Sequence, residues 1–159
     1  MFDAGYTEQA VPAAEMQYCI SMASRLYNVP GILLKAISQV EGGKKGTISK
    51  NSNGSYDLGP MQINTIHLPR LEAQFPGLTW KALASNTCLN VAVAGALLRE
   101  HLTQCQEDVW CAVGNYHSKT PKYHITYRTK VVNAYLSLLI AKQNKNTVKK
   151  ARPRPDTQS

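Results

Sequence analysis

The glutamate at position 41 stands where a helix is expected to end. The apolar stretch "AISQVE" (residues 36–41) leads into it, and two glycines follow. Carbonyl groups at a helix C-terminus carry partial negative charge, which raises the pKa of a nearby carboxyl group, and the apolar neighbours Ile37 and Val40 add desolvation in the same direction. A glutamate that keeps its proton near neutral pH can act as general acid at a glycosidic oxygen. Glu41 is therefore the candidate catalytic residue.

Two polar segments follow Glu41 along the chain: "NGSYDLGPMQIN" (residues 53–64) and "GNYHS" (residues 114–118). Most glycosidases use two carboxyl groups. The only acid of the first segment is Asp57, which makes it the candidate second carboxylate, although its side chain could instead bond loop amides. His117 and His124 lie on either side of a proline and share no helix face. We therefore expect no metal site and no cofactor.

Helical periodicity dominates the elements that must position these residues. Apolar residues recur at three- and four-residue spacing from about Ala13 to Tyr27 and again over residues 30–41, where the two glycines supply the left-handed geometry that ends a helix. Residues 44–59 are rich in turn formers and predict an irregular loop or a small hairpin around Asn53-Gly54. Further helices are expected over residues 60–69, 79–85, 86–105 and 107–118, and from Pro121 to about Lys142. The predicted fold class is all-α with a small loop or hairpin insertion.

The cysteines favour an oxidising compartment. Cys19, Cys88, Cys105 and Cys111 form no CxxC pair, and no histidine lies at zinc-finger spacing, so a structural metal site is not expected. Four cysteines permit three disulfide pairings. One of them joins Cys105 to Cys111 locally and leaves Cys19 with Cys88. The alternative is four reduced thiols in a cytosolic protein.

The composition is that of a soluble globular protein with a basic C-terminus. Of 159 residues, 43% are hydrophobic and 18% charged, and the formal net charge is +8. Cations crowd into the polar, proline-containing residues 142–159, which are predicted to form a disordered tail able to contact any polyanion. The remaining chain is nearly balanced and has no basic–aromatic stripe, which argues against a specific nucleic-acid partner. No apolar run reaches the roughly 18 residues of a transmembrane helix. The predicted organisation is an N-terminal extension (residues 1–12), one domain (residues 13–141) and this tail.

Taken in order, the motifs resemble the lytic transglycosylase family of the lysozyme-like superfamily. That family has a glutamate at a helix end, the signature "GSxDxGxMQIN", an Asn–Tyr pair and a late tyrosine, and the signature stands here as "GSYDLGPMQIN". The likeness runs from about Cys19 to about Tyr135. It is closest to the small members that accompany type III and type IV secretion systems, conjugation machinery and type IV pili. Those members also carry cysteines in the first helix and in an "N/D-x-C" turn, which supports pairing Cys19 with Cys88.

The resemblance implies a lysozyme-like domain and a role for each matching residue. Glu41 would be the catalytic acid and base, and the hydroxyl of Tyr127 would point at it. The residues expected to bind substrate are Ser55 (with Ser49 as the alternative loop hydroxyl), Met61, Gln62, Asn64, Asn115, Tyr116 and Tyr127. Trp80 and Trp110 are expected to pack in the core or at its rim.

Three positions depart from the family pattern. Gly42 follows the glutamate where the family has serine, Pro60 replaces an apolar residue before the Met-Gln pair, and "NYHS" replaces "YNxG", which introduces His117. The first departure raises the question of what orients the carboxyl group.

The activity implied by the resemblance is cleavage of the β-1,4 bond between MurNAc and GlcNAc of peptidoglycan, with formation of 1,6-anhydro-MurNAc. The alternatives are a hydrolytic lysozyme-type muramidase that uses Glu41 and Asp57, and an inactive peptidoglycan-binding scaffold subunit. The implied partners are glycan strands and components of an envelope secretion, conjugation or pilus machine. The implied location is the periplasm, and because the N-terminus lacks a basic region followed by an apolar one, we expect that a signal sequence has been removed.

Overall fold

The computed structural model describes residues 7–152 of the chain. Within this range there are seven α-helices and one three-stranded antiparallel sheet. The helices are α1 (Ala13–Tyr27), α2 (Gly31–Glu41), α3 (Leu68–Leu71), α4 (Trp80–Ser85), α5 (Thr87–Gln104), α6 (Val109–His117) and α7 (Pro121–Ala151). The strands are β1 (Ile48–Lys50), β2 (Tyr56–Leu58) and β3 (Ile63–Asn64), and a 3₁₀ turn covers Thr65–His67. The predicted α-helical fold with a small insertion is confirmed.

The helix α5 lies at the centre of the domain because apolar and small side chains cover nearly all of its faces. The helix α1 packs against it closely: a Cβ atom at Gly95 would lie 3.1 Å from the Tyr27 ring. The helix α6 packs on α5 as well, and α7 packs against both α2 and α6. Two disulfides fix this arrangement, one between Cys19 and Cys88 and one between Cys105 and Cys111.

The sheet forms the insertion between α2 and α3. Its central strand pairs Asp57 with Ser49 of β1 and with Asn64 of β3. The expected hairpin is thus present, with a third strand added. The helix expected over residues 60–69 is wrong, because Gly59 and Gln62 adopt left-handed φ values of 68° and 52° that interrupt any helix there.

The last helix is longer than expected. It was predicted to end near Lys142 and to be followed by a disordered tail, but it continues to Ala151. Residues 142–151 contain no proline or glycine that would end the helix. The lysines in the last turn of α7 interact favourably with the helix dipole. Residues 1–6 and 153–159 lie outside the described residues, and they hold half of the predicted N-terminal extension and the remainder of the predicted tail. No described helix combines the length and hydropathy needed to cross a bilayer.

Candidate active site

A cleft of about 260 Å³ opens beside the C-terminal end of α2. We call it the primary cleft. The sheet insertion forms one wall, and α6 contributes to the other. Its polar lining residues are Glu41, Asn51, Asp57, Gln62, Asn64, His67, Tyr116 and His117.

Glu41 is the last residue of α2 and lines this cleft. The helix ends there because Gly42 adopts a left-handed φ of 64° and donates its N–H to the Ser38 carbonyl at 3.0 Å. Burial raises the pKa of Glu41 to about 7; the hydrogen bond from Tyr127 opposes the increase, and the negative charge of Asp57 adds to it. The protonated and ionised forms are therefore comparably populated near neutral pH, as an acid that must later act as a base requires.

Tyr127 holds the carboxyl group of Glu41. Its hydroxyl donates a hydrogen bond to Glu41 Oε1 at 2.7 Å. Burial raises the pKa of Tyr127 above its ordinary value, so the hydroxyl remains a donor. The ring of His117 stacks flat on the Tyr127 ring, with 4.7 Å between centroids and 9° between planes. Tyr127 thus supplies the hydroxyl group that orients the carboxyl group, since the glycine at position 42 has no side chain to do so.

The second glycine after Glu41 allows the end of α2 to touch the turn that precedes β3. A Cβ atom at Gly43 would overlap the carbonyl oxygen of Gly59. Gln62 closes this turn in a left-handed conformation and donates its side-chain N–H to the same carbonyl at 2.9 Å. A non-glycine residue with this backbone geometry is strained, and such residues cluster at functional sites.

Asn90 of α5 fixes the other side of the turn. It is fully buried, its Oδ1 accepts the Met61 N–H at 2.8 Å, and its Nδ2 donates to the Leu58 and Leu83 carbonyls at 2.8 and 2.9 Å. The Tyr116 hydroxyl donates to the Met61 carbonyl at 3.2 Å. The turn is therefore anchored by both α5 and α6, which positions Gln62 in the cleft.

Asn64 fixes the position of Asp57 in the wall that the sheet insertion forms. Its Nδ2 donates to Asp57 Oδ1 at 2.9 Å and to Ser55 Oγ at 3.1 Å. Its Oδ1 accepts the Ile66 N–H at 3.0 Å and caps the 3₁₀ turn. Asp57 is thereby held in the same cleft as Glu41.

Residues 18–124 match the model of the transglycosylase SLT domain. The chain belongs to the transglycosylase SLT family. It is 36% identical over 136 residues to protein IpgF of Shigella flexneri, which covers 82% of this chain and 88% of that protein. It is 37% identical over 103 residues to invasion protein IagB of Salmonella typhimurium, covering 64% and 62% of the two chains. It is 30% identical over 130 residues to a peptidoglycan-binding-like protein of Escherichia coli O157:H7, covering 76% and 77%.

The family match confirms the resemblance to lytic transglycosylases and the lysozyme-like fold. Several expected site residues of this SLT domain come together in the structure. Those that line the primary cleft are Glu41, Asp57, Gln62, Asn64 and Tyr116. Tyr127 reaches Glu41 from α7.

Three residues expected to bind substrate lie elsewhere. The Met61 side chain is fully buried in the core, so only its backbone contributes to the site. The Ser55 hydroxyl is buried and donates to Asn53 Oδ1 at 2.6 Å, so it supports the loop. The Asn115 amide points at the Cys105 and Cys111 sulfurs, at 3.4 and 3.8 Å. The alternative loop hydroxyl, Ser49, lies on β1 and does not line the primary cleft.

Other cleft residues were not expected from the sequence. Asn51, His67 and His117 line the cleft, and burial lowers the pKa of both histidines. Asn90 could have been found, because a single asparagine within the apolar stretch "LNVAVAGALL" needs buried hydrogen-bond partners. His67 carried no such signal, since it lies in a segment that was expected to be helical.

The tryptophans and His124 pack within the domain. Trp80 lies against the Tyr56 ring at 5.2 Å, and Trp110 meets the Tyr135 ring edge-on at 5.5 Å. His124 packs against Gly114, where a Cβ atom would overlap its ring. Among residues 7–152, no group of three or more His, Cys, Asp or Glu side chains could hold a metal ion.

Proposed function

We propose that this SLT domain is a peptidoglycan lytic transglycosylase that cleaves the β-1,4 bond between MurNAc and GlcNAc and leaves 1,6-anhydro-MurNAc. The observation that carries the proposal is Glu41, a carboxyl group with a pKa of about 7 at the edge of an open cleft. Such a group can give up a proton and take one back at the same pH.

In the first step Glu41 protonates the oxygen that bridges the two sugars, and the bond to MurNAc C1 breaks. The N-acetyl group of the substrate stabilises the positive charge that develops on the sugar. The ionised Glu41 then removes the proton from the MurNAc C6 hydroxyl, which attacks C1 and closes the anhydro ring. No water is consumed, and Glu41 ends the cycle protonated.

The contacts of Glu41 support both steps. Tyr127 occupies Oε1 at 2.7 Å, which leaves Oε2 to exchange the proton with the substrate. The same hydrogen bond stabilises the carboxylate formed after the first step. The amides of Gln62 and Asn64 lie in the cleft, where they can bond the hydroxyl and acetamido groups of the sugars.

A hydrolytic muramidase is the second candidate, because Asp57 lines the same cleft and its charge acts on Glu41. In that case Asp57 would serve as base or nucleophile. The Asn64 amide bonded to Asp57 Oδ1 supports instead a role in shaping the wall of the cleft. An inactive scaffold that binds peptidoglycan is the third candidate.

Mass spectrometry of muropeptides released from purified sacculi separates these candidates. The lytic reaction adds no water to the products, whereas hydrolysis adds one. We expect anhydro products from the unmodified chain and from Asp57→Asn, and no products from Glu41→Gln, which should still bind sacculi. Release by Glu41→Gln at the unmodified rate would exclude Glu41 as the acid, and absence of products from the unmodified chain would favour the scaffold.

We also propose that the protein acts in the periplasm, together with an envelope secretion, conjugation or pilus machine. Two disulfides support an oxidising compartment. The similarity to invasion protein IagB supports a link to such a machine. Fractionation of cells that produce the full chain tests the location, with release in the periplasmic fraction as the expected result.

A further inference from the structure

A second cleft, of about 290 Å³, lies on the α7 side of Glu41. We call it the α7 cleft. It shares Glu41 and His117 with the primary cleft and is otherwise lined by Tyr123, Thr126, Lys130 and neighbouring side chains. Because the two clefts meet at the catalytic carboxyl, a glycan strand that crosses Glu41 occupies both.

The two clefts differ in charge. The primary cleft contains Asp57 and several neutral amides, whereas the α7 cleft contains the cation Lys130. Lys130 makes no ion pair within residues 7–152, and its side chain is exposed. No aspartate or glutamate occurs from Val109 to Ala151, so no acid of α6 or α7 neutralises it. Glu41 of α2 lines the same cleft but forms no ion pair with Lys130, so the positive charge is available to a ligand.

The charge of Lys130 reaches the residues that hold the acid. Burial is the main cause that lowers the pKa of His117, and the charge of Lys130 adds to that decrease. The His117 ring lies flat on Tyr127. A negative group on the substrate that approaches Lys130 would thus lie beside the His117–Tyr127 stack. The side chain of Tyr123 is 55% exposed and offers a ring at the outer edge of the same cleft.

The negatively charged groups that peptidoglycan can offer to a lysine are carboxylates. MurNAc carries a lactyl ether whose carboxyl group is free in a strand without peptides. In a strand with peptides that carboxyl is an amide, and the peptide supplies free carboxylates instead. GlcNAc carries neither. A lysine at the cleft therefore distinguishes muramoyl-containing strands from uncharged polymers of GlcNAc.

We propose that Lys130 is a specificity-determining residue that binds a carboxylate of the substrate, lactyl or peptide, in the α7 cleft. The inference rests on the proposed function, since it takes peptidoglycan as the ligand. It adds that the α7 side of Glu41 selects for negative charge, whereas the primary cleft binds neutral sugar groups through its amides.

Calorimetric titration of full chains that carry Glu41→Gln tests this, because turnover is then removed from the measurement. The ligands are an alternating GlcNAc–MurNAc octasaccharide without peptides, the same octasaccharide with peptides, and chitohexaose as the uncharged reference. An exposed lysine–carboxylate pair corresponds to about a two- to fivefold change in Kd. We expect Lys130→Gln to raise Kd by that factor, and Lys130→Glu by more, with chitohexaose unaffected. Raising the salt concentration should shrink the difference.

The matched control is Lys142→Gln, which removes a cation from the same helix without touching either cleft beside Glu41. Loss of affinity for the octasaccharide without peptides identifies the lactyl carboxylate, and loss only for the form with peptides identifies peptide carboxylates. Unchanged affinity for both, or an equal loss for chitohexaose or in the Lys142 control, overturns the proposal. Lack of anhydro products from the unmodified chain would overturn the proposed function instead, and this is measured separately.

Discussion

Glu41→Gln should make the protein more stable at alkaline pH while abolishing its activity. Burial raises the pKa of Glu41 from 4.5 to about 7. Since each pH unit corresponds to about 1.4 kcal/mol, keeping the ionised carboxylate in the folded protein costs about 3 kcal/mol. Glutamine has nearly the same shape, still accepts the Tyr127 hydrogen bond and cannot ionise, so it avoids this cost.

The cost depends on pH in a defined direction. Below pH 4.5 the carboxyl group is protonated in the folded and the unfolded chain, so the two proteins should be nearly equal in stability. Between about pH 4.5 and 7 the unfolded chain loses its proton first, and the stability of the unmodified protein falls relative to Glu41→Gln. Above pH 7 the folded protein bears the whole cost.

Differential scanning calorimetry at pH 4 and pH 8, at constant ionic strength, measures this effect. For a domain of this size about 3 kcal/mol corresponds to an increase in Tm of roughly 6–12 °C at pH 8. The control is Glu72→Gln, which removes the exposed carboxylate directly after α3 and should change Tm little at either pH. An equal Tm difference for Glu41→Gln at both pH values, or a lower Tm at pH 8, would refute the argument that burial sets the pKa.

Three further predictions follow from other contacts. Tyr127→Phe removes a hydrogen bond to the Glu41 carboxylate that is worth about 1.5–3 kcal/mol, so the alkaline limb of the pH–rate profile should move up by about one to two pH units, with lower maximal activity. Asn90→Ala leaves three buried backbone groups without partners and should lower the free energy of unfolding by about 3 kcal/mol or more in urea titrations, with loss of activity. Replacing Cys19 and Cys88 by serine opens a loop with a sequence separation of 69 and should cost about 4 kcal/mol.

Each of these has a matched comparison. Tyr135→Phe removes a hydroxyl from α7 outside the site and should leave the pH profile in place. Asn115→Ala alters a partly buried amide that bonds no backbone group, so it should cost less than Asn90→Ala. Serine at Cys105 and Cys111 opens a loop with a sequence separation of only 6 and should cost about half as much as the other pair. An equal shift of the pH–rate profile in the two tyrosine variants would contradict the first prediction. Equal losses in the free energy of unfolding within either of the other two comparisons would contradict the second or the third.

The helices could be predicted from the sequence because their signals are local. The spacing of apolar residues predicted the bounds of α1. Thr79 caps the start of α4, and Pro121 is the first residue of α7, and both residue types are typical of these positions. The turn before β3 could not be predicted in this way. The left-handed conformation of Gln62 is stabilised by contacts between Asn90 and Met61, which are 29 residues apart.

The candidate site was predictable in part. The raised pKa of Glu41 was predicted from two causes, the end of the helix and desolvation by apolar neighbours, and burial is the largest cause in the structure. Tyr127 was expected from the family resemblance, and no periodicity could have shown that its hydroxyl reaches α2. Met61 was misplaced because a motif residue beside Gln62 was assumed to face the sugar. In the structure the Met61 side chain is buried in the core, whereas the Gln62 side chain lines the primary cleft.

The contact between Gly43 and Gly59 joins the end of α2 that carries Glu41 to the turn that carries Gln62, so that the two move together. Backbone touches backbone there, so neither part can shift by a change of side-chain rotamer. The cleft can therefore widen for substrate or product chiefly by movement of α6 and α7, which carry Tyr116 and Tyr127. Such movement would lengthen the Tyr127 hydrogen bond to Glu41, but it would also admit water to the carboxyl group, and burial has the larger influence on its pKa. The pKa of Glu41 should therefore fall as the cleft opens. We expect the protonation of Glu41 to report how far the cleft is open, so that proton release accompanies opening and proton uptake accompanies closure.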